Sequence, residues 1–291
     1  MLLRTLLPAV VASLLCHIAF ADSAIEPLVG FEMGPNPTGG SVPWRPALYL
    51  HSNGNFYGTT HGGGAFGFGT LFQMSKSGQL GHLSFTDLNA GSVPTGRHPG
   101  SAPTSTLVLS SDGWLWGTTS AGGVNSTYGT IFRIRPETGE FQTMHNFASG
   151  TNGNSPAAGL VSDGQGSLWG MTRYTNNGTS THGTLFRIHE LTGVFERRLT
   201  FASTVAPKGR VPEGNLYYDG AGNLWGTTSK GSTYGIGTLF NAFVINRAAI
   251  LSVPRCRSEC INRRGQICLC DRAVFNVGAH NSIVCQCAFW N

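Results

Sequence analysis

Apolar and polar residues alternate along this chain in short bursts, as in "SLWGMT" at 167–172 and "GTLFRIH" at 183–189. Each burst is rich in aromatic and β-branched side chains and ends in Gly, Asn, Asp or Thr. A two-residue rhythm bounded by turn formers predicts half-buried β-strands. No long stretch carries the helical spacing of apolar residues, so short strands joined by tight turns are the expected vocabulary.

The bursts recur. One phrase reads "NFYGTT" (55–60), "WLWGTT" (114–119), "SLWGMT" (167–172) and "NLWGTT" (223–228), and a second reads "GTLF", "GTIF", "GTLF" and "GTLF" from residues 69, 129, 183 and 237. Equivalent positions lie 53 to 60 residues apart. In the third unit four strand-like pieces follow one another: "AGLVSD", "SLWGMT", "GTLFRIH" and "VFERRLTF". Turns such as "SNGN", "SDGW" and "DGAGN" separate the first two pieces, and "SKSGQ", "PETGE" and "ELTGV" the last two. Gly after Asn or Asp supplies the backbone angles that hairpins need.

Four-stranded meanders at this period predict an all-β fold, a β-propeller-like array of about four blades of four antiparallel strands. The units fall at about 43–89, 98–149, 155–203 and 210–243. Residues 26–40, "EPLVGFEMGPNPTGG", resemble the end of a unit, so 26–33 is expected to supply the closing strand of a four-bladed ring. Tyr57, Trp116, Trp169 and Trp225 are expected to fill the space between blades. The glycine after each is expected to let the neighbouring blade approach.

The paired pattern "GNLWGTT … GIGTLF", with "P … GL" before it, resembles the GloVer tandem repeat of secreted bacterial proteins, whose repeat regions join varied C-terminal anchors. The resemblance covers roughly residues 26–243. It implies an exported, propeller-like region and brings no catalytic motif. The C-terminus departs from the family pattern, having no apolar span with a basic tail.

Composition refines this picture. Forty-one glycines accompany only 11% charged residues, less than half the roughly 25% usual in globular proteins. Residues 22–249 hold 13 basic and 12 acidic side chains, so no basic stripe points to nucleic acid. Arg4, the apolar run "LLPAVVASLLCHIAF" and "AFA" at 19–21 read as a signal peptide over residues 1–21. The run is shorter than the ~20 residues of a membrane span. Export, no nucleic-acid partner and no membrane association after cleavage are therefore expected.

The repeat domain is expected over 22–246 and a cysteine-rich tail over 247–291. Cys256, Cys260, Cys268, Cys270, Cys285 and Cys287 crowd this tail. An even number in an exported segment too small for its own core points to disulfides, with fifteen possible pairings for six cysteines. Zinc is the rival, although only Cys256 and Cys260 have knuckle spacing. A third reading also fits the abrupt change after "GTLF": a shifted reading frame near residue 241.

Candidate chemistry is sparse. No nucleophile elbow, zinc-protease helix, P-loop or dinucleotide fingerprint occurs, and no metal or cofactor is expected. Asp112, Asp163 and Asp219, with Asn53, precede turn glycines and are expected to bond their own turns. The loops between second and third strands carry the candidate ligand-binding residues His61, Phe68, Tyr128, Arg173, Tyr174, His182, Lys230 and Tyr234, with Phe66 and Asn125 beside them. Aromatic rings with Arg, Lys and His on a nearly neutral rim suit a carbohydrate or a peptide. A binding or scaffold module is the leading expectation. A secreted lyase or hydrolase acting on polysaccharide or peptide is the alternative.

Overall fold

The computed structural model describes residues 28, 30–31, 40–43, 48–86, 98–124, 128–148, 152–156, 158–175, 182–201, 209–231 and 236–243, with four short strands between 260 and 285. The expected signal at 1–21 lies outside the described residues, as do Asn125, Tyr234, Cys256, Cys270 and Cys287. The chain divides into two units, Met1–Phe243 and Val244–Asn291.

The first unit holds four antiparallel meanders, as the repeats require. Blade 1 comprises β1 (Tyr49–Leu50), β2 (Phe56–Thr60), β3 (Thr70–Met74) and β4 (Leu80–Thr86), with β5 (His98–Pro99) running parallel to β4. Blade 2 begins with a split strand, β6 (Ser101–Pro103) and β7 (Val108–Leu109), followed by β8 (Leu115–Ala121), β9 (Thr130–Ile134) and β10 (Phe141–Asn146). Blade 3 repeats this with β11 (Asn154–Pro156), β12 (Val161–Ser162), β13 (Ser167–Tyr174), β14 (Thr184–His189) and β15 (Phe195–Thr200). Blade 4 comprises β16 (Arg210–Pro212), β17 (Tyr217–Tyr218), β18 (Asn223–Lys230) and β19 (Thr238–Phe243). The first strand breaks after proline, which has no N–H for the ladder.

The repeated residues have separable tasks. Gly58, Gly117, Gly170 and Gly226 stand directly opposite Phe72, Phe132, Phe186 and Phe240 of the same blade. A Cβ at any of them would lie 2.4 to 2.6 Å from the phenyl Cζ. The glycine therefore makes room for a ring of its own blade, a correction to the expectation that the neighbouring blade needed the space. The seated phenylalanine then meets a phenylalanine from the end of the preceding blade's fourth strand. Ring centroids are 5.1 Å apart for Phe85–Phe132, 5.5 Å for Phe147–Phe186 and 5.0 Å for Phe201–Phe240.

The turn between the first and second strands is tied to the repeated indole. Asp163 accepts the N–H groups of Gln165 and Ser167 with one oxygen and Trp169 Nε1–H, at 2.9 Å, with the other. Asp219 does the same for Ala221, Asn223 and Trp225. In blade 2 the indole of Trp116 bonds Ser110 Oγ instead. Asp112 is thus not the counterpart of Asp163. The turn glycine of blade 2 stands two residues later relative to its tryptophan, so Ser110 occupies the working position.

Apolar burial lies between blades. One cluster joins Tyr57, Leu71 and Phe85 of blade 1 to Leu107, Leu115, Phe132 and Ile134 of blade 2. Another joins Trp116, Ile131 and Phe147 to Leu160, Leu168, Phe186 and Ile188 of blade 3. The following face of blade 4 differs. Its Leu239 is 71% exposed where Leu71, Ile131 and Leu185 are at most 3% exposed, and Trp225 is 38% exposed. The leading face of blade 1 is also uncovered at Val42, Leu48 and Leu50.

Residues 26–33 were expected to close a ring. Of these, Phe31 packs on Phe72 at 5.3 Å, the arrangement made by the last phenylalanine of each preceding blade. Among the described residues no strand pairs with the free edge of β19.

In the second unit, β20 (Cys260–Ile261) pairs with β21 (Ile267–Cys268), and β22 (Phe275–Val277) with β23 (Ile283–Cys285). The register sets Cys260 opposite Cys268 and Cys285 opposite Phe275.

Candidate functional site

All the candidate residues that are described lie at one end of the blades, where the loops between second and third strands meet the entry to each first strand. That end is built by two repeated devices. The threonines ending "GTT" and opening "GTLF" pair by hydroxyl, at 2.8 Å for Thr60–Thr70, 2.9 Å for Thr119–Thr130, 2.7 Å for Thr172–Thr184 and 2.8 Å for Thr228–Thr238. In blade 3 the second hydroxyl hydrogen bond is donated by Thr172 Oγ1 to the Tyr174 carbonyl, which pins the start of the loop.

The second device is a strained corner. Gly40, Gly100, Gly153 and Gly209 press on these threonines, so that an added Cβ would stand 2.1 to 2.7 Å from the nearest hydroxyl or methyl atom. Two residues later come Val42, Ala102, Ser155 and Val211, with φ of 54°, 52°, 54° and 55°. Left-handed backbone is uncommon for any residue but glycine, and for valine it is an outlier. A proline follows each. The corners are held in place from both sides: Ala102 N–H donates to the Phe68 carbonyl and Ser155 N–H to the Tyr128 carbonyl of the preceding blade. Ser120 and Ser229 hydroxyls donate to the carbonyls of Ala102 and Val211.

The described candidate residues occupy three repeat positions. Phe68, Tyr128 and His182 each precede the glycine of the second phrase; His61 and Arg173 follow the threonine pair; Tyr174 and Lys230 come next. Phe68 and Tyr128 are half-buried against the interblade clusters and their carbonyls hold the next blade's corner. Their role is framework. His61 and His182 are half-buried beside them, and Lys230 is exposed.

Arg173 and Tyr174 form the centre of the remaining set. The Arg173 guanidinium carbon lies 6.0 Å from the Tyr174 ring centroid, and its Nε lies 3.0 Å from Glu213 Oε1 of blade 4. That approach lacks hydrogen-bond alignment, so the contact is an ion pair. In register, Asn154 faces Tyr174 and Arg210 faces Lys230. Asn154 is 2% exposed and its Nδ2 has no partner. Asn154, Arg210 and Glu213 were not singled out from sequence. Their signal is departure from the repeat: Asn and Arg stand where other units have Ser41 and Ser101, and Glu213 where blade 2 has Thr104.

The opposite end carries a second cluster that sequence reasoning missed. Arg133 lies over Trp114 at 4.3 Å and Arg135 over the same ring at 4.6 Å. Glu190 is buried, accepting hydrogen bonds from Ser111 and Ser162, and so ties blade 2 to blade 3. Arg133 also donates to the Gln142 amide oxygen and to the Glu190 carbonyl.

Two histidines have shifted protonation. Burial pushes His145 down to about 4, with its ring stacked 3.8 Å from Phe195. Burial also lowers His98, opposed in part by its hydrogen bond to the Ser84 carbonyl. Asp219 is held down at about 2, chiefly by the Asn223 side-chain amide, then by the Asn223 and Ala221 N–H groups and the Trp225 indole. Among the described residues no three His, Cys, Asp or Glu side chains converge as a metal site.

Four meanders stacked face to face, with irregular loops at one end, define a blade-repeat protein of the propeller class. The chain belongs to the family of the Gloeobacter/Verrucomicrobia repeat, which it matches over residues 17–240. No curated protein matches it. Among solved structures it is similar to a nidogen/laminin complex, with 14% identity, TM-score 0.42, 67% of this chain and 59% of that one covered. It is also similar to a gluconolactonase from Xanthomonas campestris, with 19% identity, TM-score 0.41 and coverages of 66% and 57%. An α-L-arabinofuranosidase from Clostridium thermocellum gives 13% identity, TM-score 0.40 and coverages of 78% and 72%. The chain thus spans under two thirds of the first two.

Proposed function

We propose that this is an exported binding module that takes a carbohydrate or a peptide at its loop end. The supporting observation is a division of labour within the repeat. Residues shared by all units are consumed in holding blades: the threonine pair, the glycine under its phenylalanine, the aromatic tied to its turn. Residues that differ between units gather at the loop end, with Arg173, Tyr174, Arg210, Lys230 and Glu213 around the junction of blades 3 and 4. A mixed rim of rings and charges on a strained backbone is pre-organised for recognition, since it need not be ordered on binding.

Calorimetric titration with a panel of oligosaccharides and peptides tests the reading. One ligand class should saturate, and Arg210→Ala or Tyr174→Ala should weaken it about tenfold or more. Lys76→Ala, in a turn at the other end, should leave affinity unchanged. Saturation by no ligand class, or an equal loss from Lys76→Ala, would remove the proposal. Turnover of a polymer by the purified chain would replace it with a lyase or hydrolase.

A further inference from the structure

The uncovered faces of blades 1 and 4 are the two halves of a contact that the molecule already makes three times. Consider the corner. An added Cβ at Gly69, Gly129 or Gly183 would stand 2.5 to 2.8 Å from the Cδ of Pro103, Pro156 or Pro212 in the following blade. Those prolines are buried, whereas Pro43 is exposed, and Gly237 has no proline against it. Ala102 and Ser155 donate to the carbonyls of Phe68 and Tyr128; the repeat position equivalent to those two acceptors in blade 4 is Ile236, which is 84% exposed.

The N-terminal segment tells the same story. Phe31 packs on Phe72 as Phe85, Phe147 and Phe201 pack on the next blade's phenylalanine. An added Cβ at Gly78 would meet the Leu28 carbonyl at 3.0 Å, just as one at Gly193 would meet Met144, which stands three residues before Phe147. Leu28 and Phe31 therefore stand against blade 1 as the fourth strand of a blade ahead of it would. Blade 4 shows no fourth strand among the described residues.

We propose that two copies of the chain associate head to tail, blade 4 of each docking on blade 1 of the other. Leu28 and Phe31 of one copy then stand beside β19 of its partner, where the fourth strand of blade 4 would run. The contact is heterologous, and such contacts close only when the rotation per unit allows. Propellers ordinarily hold about 4 to 8 blades, so a ring built from four-bladed chains contains either one chain or two. Exposure of Leu239, Ile236 and Leu50 on a single chain favours two. The inference is independent of any ligand at the loop end.

Cysteine pairs distinguish the possibilities. Full-length chains carrying Val42→Cys are mixed with differently tagged chains carrying Ile236→Cys and treated with a short bis-maleimide, and the linked peptides are mapped. The expected product joins position 42 of one species to position 236 of the other. Leu239→Asp, placed on an exposed side chain so that the monomer still folds, should reduce that product at least tenfold. Two results would overturn the proposal. One is linkage only within a chain bearing both substitutions, which means that each chain closes on itself. The other is no linkage in either arrangement, which means that another segment covers blade 4.

Discussion

At the scale of single residues, the account rests on the glycine that seats a phenylalanine. Gly170→Ala drives a methyl group against Phe186, and overpacking of this kind costs about 1–3 kcal/mol. Urea denaturation should show that loss. Gly226→Ala should cost less, because Phe240 is only half-buried and can yield. The strained corners predict the opposite sign. Ala102→Gly relieves a left-handed alanine, and the relief should outweigh the usual entropic penalty of glycine, leaving the protein more stable by up to about 1 kcal/mol. Ordinary destabilisation by this change would show the corner to be unstrained.

Protonation belongs to the same scale. His145 is neutral in the fold down to about pH 4, whereas an unfolded histidine takes its proton near 6.5. Between those values the unfolded chain binds more protons, so stability declines as pH falls from 6.5 and is fully lost from this source near 4. The size is of the order of 3 kcal/mol. Melting temperatures measured across that window should fall less steeply for His145→Phe, which keeps the aromatic stack on Phe195. Asp219 acts lower: its folded value is depressed, so its contribution persists above about pH 4 and disappears as pH approaches about 2.

At the scale of elements, the strands and their turns were legible because each rests on a local rule. Alternation set the strands, and Asp-Gly and Asn-Gly marked the hairpins. The turn carboxylates of Asp163 and Asp219 do what short polar side chains do beside a turn. Asp112 and Asn53 were misplaced, standing four residues and not six before their aromatic, because matching dipeptides is not matching distances to that ring. What pairing across the sheet decides was less visible. Gly170 faces Phe186 only once the register is known, and the positive φ of Val42 or Val211 contradicts the local preference of valine. Of the loop residues, Arg173, Tyr174 and Lys230 were legible as variable polar positions. Asn154, Arg210 and Glu213 were not, because they lie in or just after first strands that read as framework. In the tail, the backbone register faces Cys260 with Cys268, and the covalent state of the six cysteines is a separate question. Three disulfides in the tail would add about six hydrogens on reduction, read from the intact mass of the protein.

At the scale of the whole molecule, one rule generates the architecture: a face carrying Trp, Leu and the glycine corner meets a face carrying Leu, Phe and the proline corner. The rule operates between blades 1 and 2, 2 and 3, and 3 and 4. Its two unmatched halves remain on Trp225, Ile236 and Leu239 at one side and on Val42, Pro43, Leu48 and Leu50 at the other. Exposed apolar area that repeats a buried contact within the same molecule marks an interaction surface. Arg173, Tyr174 and Glu213 lie at the junction of blades 3 and 4 rather than on these two faces, so the proposed binding is compatible with either assembly. The molar mass of the full-length protein in solution, followed by light scattering over a dilution series, tests the assembly most directly. The account predicts twice the chain mass, falling to one chain mass for Leu239→Asp; a single chain mass at every concentration for the unaltered protein would contradict it.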